Sequence, residues 1–167
     1  MKKKALYNED CMKIMNGMDD ESIEMTLTDI PYGVVTRDDN GLRNLDKEDA
    51  DLVNFNLENF LEEVKRITKG SVYIWCGTEQ VSFIREFLDQ DLSTRIIVWE
   101  KTNPPPLNGQ YLWLSGVELC VYGKKRGATF NGHCENTVLQ YSCGSSKDHP
   151  TEKNLELFKE LIEKSSK

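Results

Sequence analysis

The chain has 167 residues, 38% of them hydrophobic and 29% charged, with a net charge of −7, which is the composition and size of one soluble domain able to bury roughly two-thirds of its unfolded surface. A pI near 5.0 argues against a strong sequence-independent grip on phosphates, which needs clustered positive charge. The basic start Met1-Lys2-Lys3-Lys4 runs through Ala5-Leu6-Tyr7 straight into Asn8-Glu9-Asp10, and no apolar run approaches the length of a membrane span, so neither a signal peptide nor a membrane partner is expected and the chain reads as cytoplasmic.

In chain order, residues 5–7 read as a short strand, and Asp10 caps a helix over 11–18 with Cys11, Ile14, Met15 and Met18 at helical spacing. Residues 23–28 form a strand rich in β-branched side chains, and the polar, acidic stretch 36–51 reads as a surface loop. Phe55, Leu57, Phe60, Leu61, Val64 and Ile67 give 52–68 a helical period, with Lys69-Gly70 as its stop. Residues 71–76 are a near-continuous apolar strand of the buried kind, after which Thr78 caps a helix over 79–88. A strand over 94–99 ends at Asn103-Pro104-Pro105-Pro106, which forces an extended turn. The strands 117–122 and 137–141 bound a glycine-containing connection and read as an antiparallel hairpin, and 155–162 is amphipathic. The alternation predicts an α/β sheet flanked by helices, closed by that hairpin.

The segment Asp29-Ile30-Pro31-Tyr32-Gly33 follows directly on the strand 23–28. An acidic side chain at the carboxyl end of a buried strand, a Pro that fixes the turn, and an aromatic face together make a slot for a planar ring bearing an amino group. Asp29 and the turn carbonyls of Ile30 or Pro31 accept its two N–H bonds while Tyr32 stacks on it. Taken alone, the same tetrapeptide also describes a plain turn with an exposed ring.

Read together, five fragments resemble, in the right order, the amino-group DNA methyltransferases, which methylate the exocyclic amine of adenine or cytosine using S-adenosylmethionine. Leu6-Tyr7-Asn8-Glu9-Asp10-Cys11 is similar to the family's opening strand, and Asp29-Ile30-Pro31-Tyr32 to its Asp-Pro-Pro-Tyr catalytic loop, with Ile30 in place of the first Pro. Trp99-Glu100-Lys101-Thr102-Asn103-Pro104 resembles the family's stretch after its fifth strand, and Glu118 to Lys124 resembles the strand beyond it. His149-Pro150-Thr151-Glu152-Lys153 is similar to the family's His-Pro-Thr-Glu-Lys-Pro, with Asn154 where the last Pro would stand. The resemblance implies a single methyltransferase-like domain over residues 1–167 with an incomplete Rossmann-like sheet and the catalytic loop ahead of the cofactor motif. It also implies a catalytic set of Asp29, Pro31 and Tyr32, a cofactor-binding set of Asp10, Asp29, Thr151 and Lys153, and S-adenosylmethionine and DNA as ligands. Asp in the first position of the loop favours adenine.

The family's glycine-rich turn, which holds the cofactor's methionine end, has no counterpart, since Gly123, Gly127, Gly132 and Gly144 are too scattered to form one cradle. The strand 23–28 is therefore expected to present an unpaired apolar edge, to be filled by a second polypeptide or a second copy of the chain, or else left bare in a remnant of reduced stability. The alternative is a catalytically silent domain of the same fold that binds nucleic acid or protein. Among other groups, Lys124-Lys125-Arg126 with Lys101, Arg37 and Arg43 reads either as a phosphate-facing patch or as a solvated turn. The five cysteines, Cys11, Cys76, Cys120, Cys134 and Cys143, read as reduced thiols, with Cys76 and Cys120 in the core. His133, Cys134, Cys143 and His149 match no tight ligand pair, and no metal is expected. Trp75 and Trp99 read as packing residues, and Trp113 reads equally as a loop residue that touches substrate. Thr151 and Lys153 face a cofactor pocket or, equally, Thr151 caps a helix with Glu152 in its first turn.

Overall fold

The computed structural model describes residues 4–32, 56–106, 109–144 and 152–167. Within them the chain runs α1 (Cys11–Asn16), β1 (Ile23–Asp29), α2 (Leu57–Ile67), β2 (Thr68–Cys76), α3 (Val81–Asp89), β3 (Ser93–Lys101), β4 (Val117–Lys124), β5 (Val138–Tyr141) and α4 (Leu155–Ser165). The strands form one mixed sheet in the order β1-β2-β4-β3-β5. β1 and β2 are parallel, β4 lies antiparallel between β2 and β3, and β5 runs parallel to β3.

Period-two alternation along the strands sends side chains to two separate cores, giving a three-layer arrangement. Val72, Ile74 and Cys76 of β2 and Val121 of β4 pack against Leu61, Val64 and Ile67 of α2 and Ile84 and Leu88 of α3. Tyr73 and Trp75 of β2, Cys120 and Tyr122 of β4 and Trp99 of β3 pack against Leu157 and Leu161 of α4. Trp75 meets Trp99 edge-on at 6.3 Å between ring centroids and stacks on Phe158 at 5.9 Å. β2 therefore reads as continuously apolar because both of its faces are covered.

Several local expectations are corrected. Residues 5–7 form no strand, and Leu6 is 98% exposed; so short a segment gains nothing from extension without a ladder partner. Helix α2 does not stop on Lys69-Gly70 but passes at Thr68 directly into β2. Gly70 lies inside that strand, where a Cβ would fall 2.1 Å from the Glu24 carbonyl oxygen. Close approach of β1, at the register shift between Ile23 and Met25, is what requires a glycine there. Thr78 caps nothing; α3 begins at Val81 after Gln80. The strands at 117–122 and 137–141 do not pair as a hairpin: β4 turns back on β3, and β5 crosses to the far side of β3. Helix α4 is capped by Asn154, whose side chain accepts the Leu157 N–H. The loop over 36–51 and the first residues of the 52–68 helix lie outside the described residues, as does Thr151.

Candidate active site

Asp29 is the last residue of β1 and stands opposite Trp75 in the parallel ladder. The turn beyond it is held from two sides. The Ile30 N–H donates to the Trp75 carbonyl at 3.1 Å, and the Gln80 side chain donates from Nε2 to the Pro31 carbonyl at 2.9 Å while its Oε1 accepts the Gly77 N–H at 2.8 Å. A Cβ at Gly77 would stand 2.9 Å from the Tyr32 carbonyl, so the end of β2 and the turn approach as closely as backbone permits.

Because β4 is antiparallel to β2 and β3, its start lies beside their ends, and Glu118, paired with Trp99, emerges on the α4 side of the sheet. Lys101 at the end of β3 reaches Glu118 Oε1 at 2.8 Å. Lys153 sits immediately before the Asn154 cap, anchored by the burial of Leu157 and Leu161. Its Nζ donates to Glu118 Oε2 at 2.5 Å and to the Tyr32 hydroxyl at 2.7 Å, and pairs with Asp29 Oδ2 at 3.2 Å. The Tyr32 hydroxyl in turn donates to Asp29 Oδ1 at 2.9 Å and approaches Glu118 Oε2 at 3.3 Å. The Lys153 ammonium lies 4.9 Å from the centroid of the Tyr32 ring, out beyond its hydroxyl.

Two carboxylates and two ammonium groups thus balance in charge while differing in exposure: 39% for the Asp29 side chain against 18% for Glu118, 14% for Lys153 and 11% for Lys101. Burial raises the Asp29 carboxyl above its ordinary value, and Lys153 and Tyr32 only partly offset this. Burial pushes Glu118 the same way, but Lys153 and Lys101 outweigh it and hold that carboxyl below the usual range. Burial, followed by the two carboxylates, drives the Tyr32 phenol far up, so it remains a neutral hydrogen-bond donor.

Of the residues the sequence singles out, Asp29, Pro31, Tyr32 and Lys153 come together. Asp10 does not join them by any hydrogen bond; its carboxylate accepts the Met12 N–H at 2.8 Å as the cap of α1. Trp75 and Trp99 are buried, and Trp113 is 99% exposed on the connection between β3 and β4. Lys101 belongs to this cluster and not to a phosphate-facing patch with Lys124-Lys125-Arg126. Those residues lie at the opposite end of β4, where Lys125 pairs with Glu21, and Arg37 and Arg43 lie outside the described residues. All five cysteines are free. Glu118, Gln80 and Gly77 were not singled out. A charged residue opening the apolar strand 117–122, opposite a strand ending in lysine, is the signal that could have found Glu118.

A parallel pair with a carboxylate at its carboxyl edge, extended by an antiparallel strand inserted before its neighbour, is a mixed Rossmann-like sheet. The comparisons agree. The chain is 32% identical over 100 residues to the type II methyltransferase M.HpaI of Haemophilus parainfluenzae, covering 56% of this chain and 30% of that protein. It is 28% identical over 116 residues to the type II methyltransferase M2.MboI of Moraxella bovis, covering 60% and 42%. The match thus spans well under half the length of these curated relatives. Among solved structures, the M1.HpyAVI–SAM complex superposes with a TM-score of 0.67 at 20% identity, covering 96% of this chain and 76% of that one. The cytosine-N4-specific PvuII DNA methyltransferase gives 0.70 at 15% identity, covering 96% and 70%. No protein-family model matches the chain. The likeness to amino-group methyltransferases carried by the sequence motifs holds in both sequence and fold.

Proposed function

We propose that this chain carries the base-binding site of an S-adenosylmethionine-dependent DNA methyltransferase acting on the exocyclic amine of adenine. Asp29, Pro31 and Tyr32 form the slot, and Asp10, Asp29, Thr151 and Lys153 serve the cofactor. The observation that carries this reading is the Asp29–Tyr32–Lys153 cluster at the carboxyl edge of the sheet, whose most exposed member is the Asp29 carboxylate. An extruded adenine would stack on the face of the Tyr32 ring and donate one amino hydrogen to Asp29. The second hydrogen goes to the carbonyl of Ile30 or Pro31; the Pro31 carbonyl accepts from Gln80 and keeps a second lone pair. Both acceptors draw electron density toward the amine nitrogen and hold its lone pair in line, so positioning and electrostatics do most of the work.

The donor set suits the cofactor in charge. The exposed Asp29 carboxylate complements a cationic amino or sulfonium group, and Lys153 complements a carboxylate. When bound, S-adenosylmethionine supplies an electrophilic methyl group. Asp29 need only accept hydrogen bonds, because the amine's proton can leave after transfer.

The sheet edge bears on partners. Among the described residues β1 has a single strand neighbour, β2. DNA is the proposed substrate, and a second polypeptide or a second copy is proposed to continue the sheet along β1.

The test is transfer of labelled methyl groups from S-adenosylmethionine to duplex DNA, with nucleoside digestion to distinguish N6-methyladenine from N4-methylcytosine. Asp29→Ala should lower kcat by about 10²- to 10³-fold, the usual cost of one such polar group. The second reading is a catalytically silent domain of the same fold that binds nucleic acid or protein. Calorimetric titration with S-adenosylmethionine, with and without any co-purifying chain, separates the two: no heat in either case supports the silent domain.

A further inference from the structure

Glu118 is the one carboxylate of the cluster that the turn does not supply, and it competes with Asp29 for the same donors. Tyr32 has one hydroxyl proton, given to Asp29 at 2.9 Å with Glu118 at 3.3 Å. Lys153 reaches both carboxylates, closer to Glu118 at 2.5 Å than to Asp29 at 3.2 Å. Resting on the base-slot reading above, we infer that Glu118 is a positioning residue: the second acceptor onto which Tyr32 and Lys153 settle when the Asp29 carboxylate turns to the amino group of a bound base.

Three features support this assignment. Lys101 fixes Glu118 through its other oxygen at 2.8 Å, so Glu118 stays in place while the more exposed Asp29 is the carboxylate able to turn outward. The exchange needs only rotation of the Tyr32 hydroxyl about its C–O bond and a small shift of an ammonium group carrying three donors, and no covalent bond changes. The ring itself need not move, so its faces are kept for stacking. Without Glu118, freeing Asp29 would leave the Lys153 ammonium with no counter-charge and the Tyr32 hydroxyl proton with no acceptor in a half-buried site, which is costly. The direction of the charges agrees, since burial disfavours charge on Asp29 while the two lysines favour it on Glu118.

The experiment compares the full wild-type chain with Glu118→Gln and Glu118→Asp. The probe is an end-labelled oligonucleotide carrying a single adenine, against the same oligonucleotide carrying purine, which lacks the amino group. Fluorescence anisotropy gives the adenine-over-purine preference. It should fall about tenfold in Glu118→Gln while affinity for the purine oligonucleotide holds, because the lost function is release of Asp29 toward the amine. A role confined to folding would weaken both oligonucleotides alike. Glu118→Asp keeps the charge on a side chain one methylene shorter and should give an intermediate loss; it also decides the matter where the Gln variant does not fold. An unchanged preference in the variants overturns the inference. A wild-type chain that does not distinguish the two oligonucleotides overturns the base slot, and the role of Glu118 with it. Carboxyl ¹³C titration of Asp29 in the free chain then separates the failures: a midpoint lowered in Glu118→Gln shows that the carboxyls are coupled although no base is bound, and an unmoved midpoint shows that they are not.

Discussion

At the scale of single residues, Asp29 and Glu118 make opposite contributions to stability, and the sign of each follows from its environment. The Asp29 carboxyl is raised in the fold, so the protonated form is favoured there; its contribution is present at low pH and is lost as pH rises through the raised value. Asp29→Asn removes that penalty and should raise the unfolding midpoint near neutral pH, an advantage that shrinks on acidification. Glu118 is lowered, so its contribution is present above the ordinary glutamate value and is lost as pH falls through the lowered one. Glu118→Gln should therefore destabilise the chain near neutral pH and converge with wild type in acid. Thermal melts of both variants across pH check the two signs, and parallel shifts would contradict them. Gln80 acts on backbone and not on charge. Gln80→Leu strips partners from the Gly77 N–H and the Pro31 carbonyl, and each orphaned group costs about 1–3 kcal/mol. Denaturant unfolding should show a loss of that size.

At the scale of elements, α4 matters most for the site because its packing delivers Lys153. Leu157 and Leu161 fill the core beneath Trp75 and Tyr73. The Tyr73 hydroxyl meets Ser165 at 2.7 Å near the C-terminal end of α4, and the Asn154 amide ties its start to the Ser142 carbonyl at 3.0 Å. Leu157→Ala should cost about 2–5 kcal/mol through the cavity it leaves. Asn154→Ala should cost about 0.5–2 kcal/mol through the lost cap. Chemical unfolding checks both magnitudes, and a Leu157→Ala loss below that of the cap variant would show that α4 is not packed as described. The inserted strand β4 matters equally, since only an antiparallel strand can bring a residue from its start, Glu118, to the edge where β1, β2 and β3 end.

At the scale of the whole molecule, the sheet is closed differently at its two ends. β5 is a four-residue strand, a short terminus that blunts that edge. β1 offers seven residues, with Met25 and Leu27 packed on the α4 core and one side of the ladder without a described partner. Sedimentation velocity across a concentration series should show association, through a second copy or a co-purifying chain. A chain that remains monomeric at every concentration and purifies alone would count against pairing along β1.

The residue order determined a good deal unaided. The strands 23–28, 71–76, 94–99 and 117–122, the Asp10 cap, the buried Trp75 and Trp99 and the apolar stripe of α4 follow from patterns spanning a few residues, because local periodicity records which face a segment buries. The turn at Asp29-Ile30-Pro31-Tyr32 was legible for the same reason, its chemistry being contiguous. What only the tertiary structure decided are choices among distant partners. Whether β4 pairs with β3 or β5, whether Gly70 stops a helix or admits a neighbouring strand, and whether Lys101 faces solvent or Glu118 are each competitions for one ladder, one space or one ion pair. No short window of sequence contains both competitors, so the outcome exists only once the sheet is assembled.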